Sequence, residues 1–260
     1  MSRYRLNIEY DGSTFRGWQI QPDAPSIQGA IEEALTTLFG GEMIRIMGSG
    51  RTDTGVHAVG QVAHTDLPED REPGKLLRGL NSLLPEGVRV WRARPVEDEF
   101  HARFSARERW YAYRLLKNPN SFLGRFGWYP VYQFDEDCAR EATATFLGRH
   151  NFRAFSTRPE DEESTECEIR RIDWVEDSFG VVVHLAADRY LRRMVRTIVG
   201  TLVEIGAGKM RVEALESLLS QGFGRAGVPA PPQGLALTRV HYDIDDSEDS
   251  PEPSPWGDVS

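Results

Sequence analysis

The stretch Gly48-Ser49-Gly50-Arg51-Thr52-Asp53-Thr54-Gly55 sets one carboxylate in a loop with three glycines, two residues after an arginine. A carboxylate held in so tight and irregular a backbone is a candidate nucleophile or general base. The same spacing also fits a turn aspartate whose only task is to cap backbone amides. Asp53-Thr54-Gly55 matches the triplet of an aspartic protease, but those enzymes pair two carboxylates, and no second Asp-Thr/Ser-Gly occurs here. The phosphate-binding pattern Gly-x-x-x-x-Gly-Lys-Ser/Thr is absent. Asp53, His57, His64 and Asp66 contain metal-ligating types, yet their spacing matches no common ligand set.

Two further groups invite chemistry. Phe100-His101-Ala102-Arg103-Phe104-Ser105-Ala106 runs into Arg109-Trp110-Tyr111-Ala112-Tyr113-Arg114, and arginine interleaved with aromatics suits a surface that contacts phosphates and stacks bases. An amphipathic strand with Tyr111 and Tyr113 turned into a core fits those residues too. From Tyr190 onward the apolar side chains recur at 191, 194, 195, 198 and 202, and Arg192 and Arg196 fall on one edge of that helical stripe. An arginine so placed is half-buried and needs an anionic partner. Asp53 is the expected one for Arg196.

The elements that position these residues follow from periodicity. Residues 4–10 alternate as a strand does, and Ser26 caps a helix whose apolar stripe ends before Gly40. Strands at 43–47 and 59–65, a helix at 75–84 and a strand at 88–95 complete a β-α-β-β-α-β order. The order recurs as strand 109–116, helix 136–147, strands 169–176 and 181–187, helix 190–205 and strand 235–242, with an extra helix at 212–219. Two such units predict an α+β fold of two ferredoxin-like halves. They would form a central, largely antiparallel sheet with helices on one side and an RNA-binding cleft. The expected divisions are 1–100, carrying the Asp53 loop, 101–242, and an acidic disordered tail at 243–260.

Charge separates body from appendages. The chain of 260 residues carries a formal −9, but seven acids and no base lie from Asp243 onward, and six acids and no base in 160–168. The remainder is mildly basic, and Arg outnumbers Lys by 28 to 3. That excess suits bidentate phosphate recognition, and codon usage in a GC-rich genome would produce it as well. No apolar run approaches the roughly 20 residues that span a bilayer. Cys138 and Cys167 are expected as unpaired thiols, in keeping with the cytoplasm.

Taken in order, Tyr10-Asp11-Gly12 with Gly17-Trp18-Gln19, the Gly50–Ala58 block, Phe100–Ala106, Tyr111 with Tyr113, His150-Asn151-Phe152, Met194-Val195-Arg196, and Ala230-Pro231 with Gly234-Leu235 resemble the tRNA pseudouridine synthase A (TruA) family. The resemblance covers about residues 4–242. Thr54, where alanine is common, and Gln233 depart from the pattern without touching a reacting group. The resemblance implies isomerisation of uridine at positions 38, 39 and 40 of the tRNA anticodon arm, by a homodimer that needs no cofactor and no metal. It implies Asp53 as the catalytic aspartate, Tyr111 as the ring that packs on the uracil, and Arg196 as the cation beside the aspartate. Leu235 would be an aliphatic wall of the pocket, and Arg51 would help extrude the nucleotide. A non-catalytic RNA-binding module is the alternative class.

Overall fold

In the computed structural model, residues 1–243 and Trp256 are described. The chain divides into two compact units, 1–107 with the strand after residue 235, and 108–235 with Trp256. In the first unit β1 (Ser2–Tyr10) lies between β4 (Val88–Pro95) and β3 (His57–Leu67), antiparallel to both. The edge of β3 is shared. Its far end pairs antiparallel with β2 (Ile46–Gly48), and its start pairs parallel with β9 (Leu235–Tyr242) through His57 opposite Ala236. Helices α1 (Ile27–Leu38) and α2 (Pro73–Leu83) bury Ile27, Ile31, Leu35, Leu76 and Leu80. The Ser26 hydroxyl accepts the Gly29 N–H, and Gly40, at φ 88°, takes the left-handed turn after the helix.

The expected α+β class holds, and the first unit follows the β-α-β-β-α-β order. One departure concerns β1, whose alternation implies a solvent-facing polar side. Arg5 and Asn7 on that side are 1% and 2% exposed. The Arg5 guanidinium lies over the Tyr242 ring at 4.6 Å and near Phe100 at 5.9 Å, so aromatic cover replaces water.

The second unit is an antiparallel array in the order β5 (Ala106–Leu116), β8 (Gly180–Ala187), β7 (Glu166–Asp177) and β6 (Gly148–Asn151). The short strand β6 has no counterpart in the sequence periodicity. The helix expected over 136–147 ends sooner: α3 (Glu136–Ala142) gives way to a 3-10 turn at Thr143–Phe146, where the Thr143 hydroxyl donates to the Ala139 carbonyl. The helix expected from 190 starts later, as α4 (Met194–Gly206). Arg193 sits at φ 61°, a left-handed conformation that no α-helix continues through. The apolar residues at 191, 194, 195, 198 and 202 are all buried, as that periodicity requires. Helix α5 (Val212–Gln221) matches the extra helix.

The acidic loop 160–168 includes a 3-10 turn at Pro159–Asp161 and the start of β7. The disorder expected of 243–260 lies outside the described residues except at Asp243 and Trp256, and Trp256 is 2% exposed. Among the described residues no helix is long and apolar enough to cross a membrane.

Close packing of backbone on backbone gives a direct test. A Cβ added at Gly60 on β3 would stand 2.1 Å from the Thr238 carbonyl oxygen on β9, whereas one at Gly124 meets nothing within 4 Å. Gly60→Ala is expected to destabilise the protein by about 1–3 kcal/mol, and Gly124→Ala by less than about 0.5 kcal/mol. Equilibrium denaturation midpoints check the pair.

Candidate active site

Asp53 occupies a loop held from beneath by two glycines. A Cβ on Gly12 would lie 2.0 Å from the Val56 carbonyl oxygen, and one on Gly17 would lie 2.7 Å from that of Thr52. Gly17 is at φ 91° and donates no side chain to the contact, so the backbones meet directly. The motifs Tyr10-Asp11-Gly12 and Gly17-Trp18 therefore serve the loop they precede. The Trp18 N–H bonds the Thr52 carbonyl at 3.1 Å, and the Tyr10 and Thr52 hydroxyls lie 2.8 Å apart. On the other flank Gln61 on β3 accepts from the Ser49 hydroxyl at 2.7 Å and donates to the Gly50 carbonyl at 3.0 Å. The loop closes through Val56 N–H to the Asp53 carbonyl at 3.1 Å, with Gly55 at φ 77°.

Ser49 and Thr52 are thereby buried, while Arg51 is exposed and the Asp53 carboxylate half-buried. A carboxylate with this exposure can reach a ligand, and its main chain is fixed by neighbours on both sides. That is the preorganisation a nucleophile or base requires. His57, next along, is 1% exposed and its Nδ1 accepts the Gly12 N–H, which makes it part of the clamp. Among the described residues no three His, Cys, Asp or Glu side chains gather as metal ligands would.

In the second unit Arg196 bonds the segment 228–235, which ends in Leu235. Arg196 on α4 is half-buried, and its Nε donates to the Ala230 carbonyl at 2.7 Å while Ala230 N–H returns to the Arg196 carbonyl at 2.9 Å. The Tyr113 hydroxyl donates to the Pro231 carbonyl at 2.8 Å, and the Trp256 indole N–H to the Gly234 carbonyl at 3.0 Å. Leu235, 5% exposed, follows immediately. This segment is thus laced to a helix, a strand and Trp256, and Ala230-Pro231 and Gly234 supply the carbonyls that do it. Tyr113 is fully buried and Tyr111 is 9% exposed, its ring edge-on to Tyr190 with centroids 5.2 Å apart. Arg192, expected on the helix edge with Arg196, precedes α4 and is exposed.

The turn 100–105 in the first unit is built around imidazoles. The Ala102 N–H donates to His64 Nδ1 at 3.1 Å, and those of Arg103 and Phe104 to His101 Nδ1 at 3.1 and 3.2 Å. His101 N–H bonds the Ser105 hydroxyl, Ser105 N–H bonds the His101 carbonyl, and the Tyr242 hydroxyl donates to the Ala102 carbonyl at 2.7 Å. Burial, with the charges of His101 and Arg3 second and third, pushes His64 down to about 4.

Two residues gain a place here that spacing does not reveal. Tyr190, read as the first turn of a helix, instead packs on Tyr111, and its buried hydroxyl has no hydrogen-bond partner among the described residues. Burial raises its phenol well above the ordinary value. Trp256, lying in a stretch of composition typical of solvated chain, packs edge-on against Phe126 at 5.7 Å.

These features define an α+β protein with a half-buried aspartate in a clamped loop, and comparison with known proteins identifies its family. A family model described as tRNA pseudouridine synthase matches residues 7–105 and 142–243. Proteins named tRNA pseudouridine synthase A align over nearly the whole chain. The one from Bradyrhizobium sp. strain BTAi1 is 42% identical over 93% of this chain and 100% of its own length. The one from Methylocella silvestris is 42% identical over 94% and 99%, and that from Chlorobium luteolum 38% over 94% and 97%. The chain belongs to the tRNA pseudouridine synthase A family, a family of isomerases.

The depressed His64 makes stability depend on pH. Its unfolded value is near 6.5, so as pH falls the unfolded chain takes up the proton first. Stability present above pH 6.5 is lost as pH falls toward about 4, by up to roughly 3 kcal/mol for this group. His64→Gln should show a shallower fall in melting temperature between pH 7 and 4.5 than the unaltered protein. Parallel curves would show that His64 does not titrate on unfolding.

Proposed function

We propose that this chain isomerises uridine to pseudouridine in tRNA, at positions 38, 39 and 40 of the anticodon stem-loop. Asp53 acts as nucleophile or base on a flipped-out uridine. The observation that carries the reading is the clamped loop, which holds a half-buried Asp53 on a main chain fixed by Gly12, Gly17, Tyr10 and Gln61. Membership of the tRNA pseudouridine synthase A family supports the substrate class.

The reaction breaks the N1–C1′ glycosidic bond, turns the uracil, joins C5 to C1′, and exchanges the C5 hydrogen for a proton on N1. Nothing is oxidised or reduced, and no water is consumed. One carboxylate is enough for its first step, by attack on C1′, by addition to C6, or by removal of a proton from C2′. Asp53 must be ionised for each. Arg196 would be the cation that accompanies it, as the family resemblance implies. Tyr111 would stack on the extruded uracil, with Leu235 as an aliphatic wall, and exposed Arg51 would draw out the nucleotide. Extrusion costs a few kcal/mol of unstacking, and stacking on an aromatic ring returns about 1–3 kcal/mol. Binding of one tRNA across a homodimer in the cytoplasm completes the proposal.

Release of tritium from C5-labelled uridine in an anticodon stem-loop measures the reaction directly. Asp53→Asn should abolish release while tRNA affinity stays within a few fold. If the variant still releases tritium, Asp53 is not the reacting group. If the unaltered protein releases none yet binds tRNA, the chain is an RNA-binding module without turnover.

A further inference from the structure

The turn Phe100–Ser105 presents an aromatic side chain that the isomerisation does not use. Phe104 is 74% exposed, although its backbone sits in one of the most fully bonded turns of the first unit. The N–H groups of residues 101 to 105 all have partners, two of them on the same His101 nitrogen. A loop free to fold its phenylalanine inward would lower its exposed apolar area. Here the bonded backbone fixes the turn from which the ring projects, and the ring remains exposed.

Behind the ring lie two imidazoles, tilted by 34° and 58° from one ring to the next. His101 is 4.4 Å from Phe104 by ring centroids, and His64 is 4.6 Å from His101. The Arg103 guanidinium is 5.7 Å from the Phe104 centroid and is itself exposed. Arg3, near the other end of the turn, is committed to Asp66 and to the carbonyls of Asp98 and Phe100. Burial and the charge of Arg3 lower the His101 value, which favours a neutral ring at neutral pH.

An exposed flat ring, backed by a tilted imidazole on a fully bonded turn and flanked by a guanidinium, suits a ligand with a π face and an adjacent anion. An unpaired nucleotide has both. We propose that Phe104 and Arg103 form an RNA subsite separate from the Asp53 loop, which stacks one unpaired base of the tRNA on Phe104 and pairs its phosphate with Arg103. The identity of the RNA rests on the function proposed above; the stacking geometry does not.

The test measures equilibrium affinity of the purified protein for an unmodified tRNA transcript and for a blunt RNA duplex of similar length. Phe104→Ala should weaken tRNA binding by roughly 5- to 100-fold, and the duplex, with no unpaired base, by less than about twofold. Phe104→Tyr should restore tRNA affinity to within about twofold, and the melting temperature of all variants should stay level because the side chain is exposed. Arg103→Gln should reduce the slope of log affinity against log salt by about one. Activity adds a separate readout: for Phe104→Ala, kcat/KM falls through KM. Unchanged tRNA affinity in Phe104→Ala overturns the subsite. So does an equal loss for tRNA and duplex, or a changed oligomeric state at unchanged affinity, which would make Phe104 a protein contact. If Phe104→Ala weakens tRNA binding but the unaltered protein forms no pseudouridine, the subsite stands and the proposed reaction falls.

Discussion

The Val56 carbonyl oxygen lies 2.0 Å from where a side-chain carbon on Gly12 would stand, and the Thr52 carbonyl is almost as close to Gly17. Backbone pressed on backbone leaves the Asp53 loop little freedom to relax, because main-chain atoms cannot change rotamer as a side chain would. Everything else around the carboxylate builds on that contact. Trp18 can donate to Thr52 only because Gly17 turns at a positive φ, and Gln61 reaches Gly50 only because the loop is pressed down to its level. Such a loop gives up flexibility so that one side chain keeps a constant direction.

The second unit uses a different device for the same end. Segment 228–235 has no regular structure until the 3-10 turn at Pro232–Gly234, so its carbonyls need partners from elsewhere. Arg196, Tyr113 and Trp256 each supply one donor to it. A single guanidinium, phenol or indole spanning two elements substitutes for a ladder of backbone bonds. The cost is that each partner is individually critical.

How far residues announced this arrangement depended on the range of the forces involved. Ser26 as a helix cap, Gly40 after the helix, and the buried stripe at 191, 194, 195, 198 and 202 obey local rules and were legible. Asp53 could be nominated from its glycines, but its clamp could not, since Gly12 and Gly17 lie some 40 residues earlier in the chain. Arg193 looked helical because nothing in its side chain forbids a helix; its left-handed backbone is imposed by the turn that precedes α4. The polar face of β1 read as solvated because alternation counts side-chain types. The covering rings of Phe100 and Tyr242 arrive from distant sequence. Phe104 was visible as a candidate base-stacking residue, whereas the imidazole-bonded turn from which it projects was not.

Trp256 has a consequence for how this stretch of chain can vary. Fixing a residue 14 positions after Tyr242 carries an entropic cost that grows only with the logarithm of that separation, roughly 2 kcal/mol. Burying an indole of about 200 Å² contributes on the order of 5 kcal/mol, and the bond to Gly234 adds to it. Doubling the length of the intervening acidic segment would cost about 0.6 kcal/mol, whereas losing the indole forfeits the whole attachment. In this chain, then, lengthening the span between Tyr242 and Trp256 should cost little, whereas replacing the indole removes the attachment to Gly234.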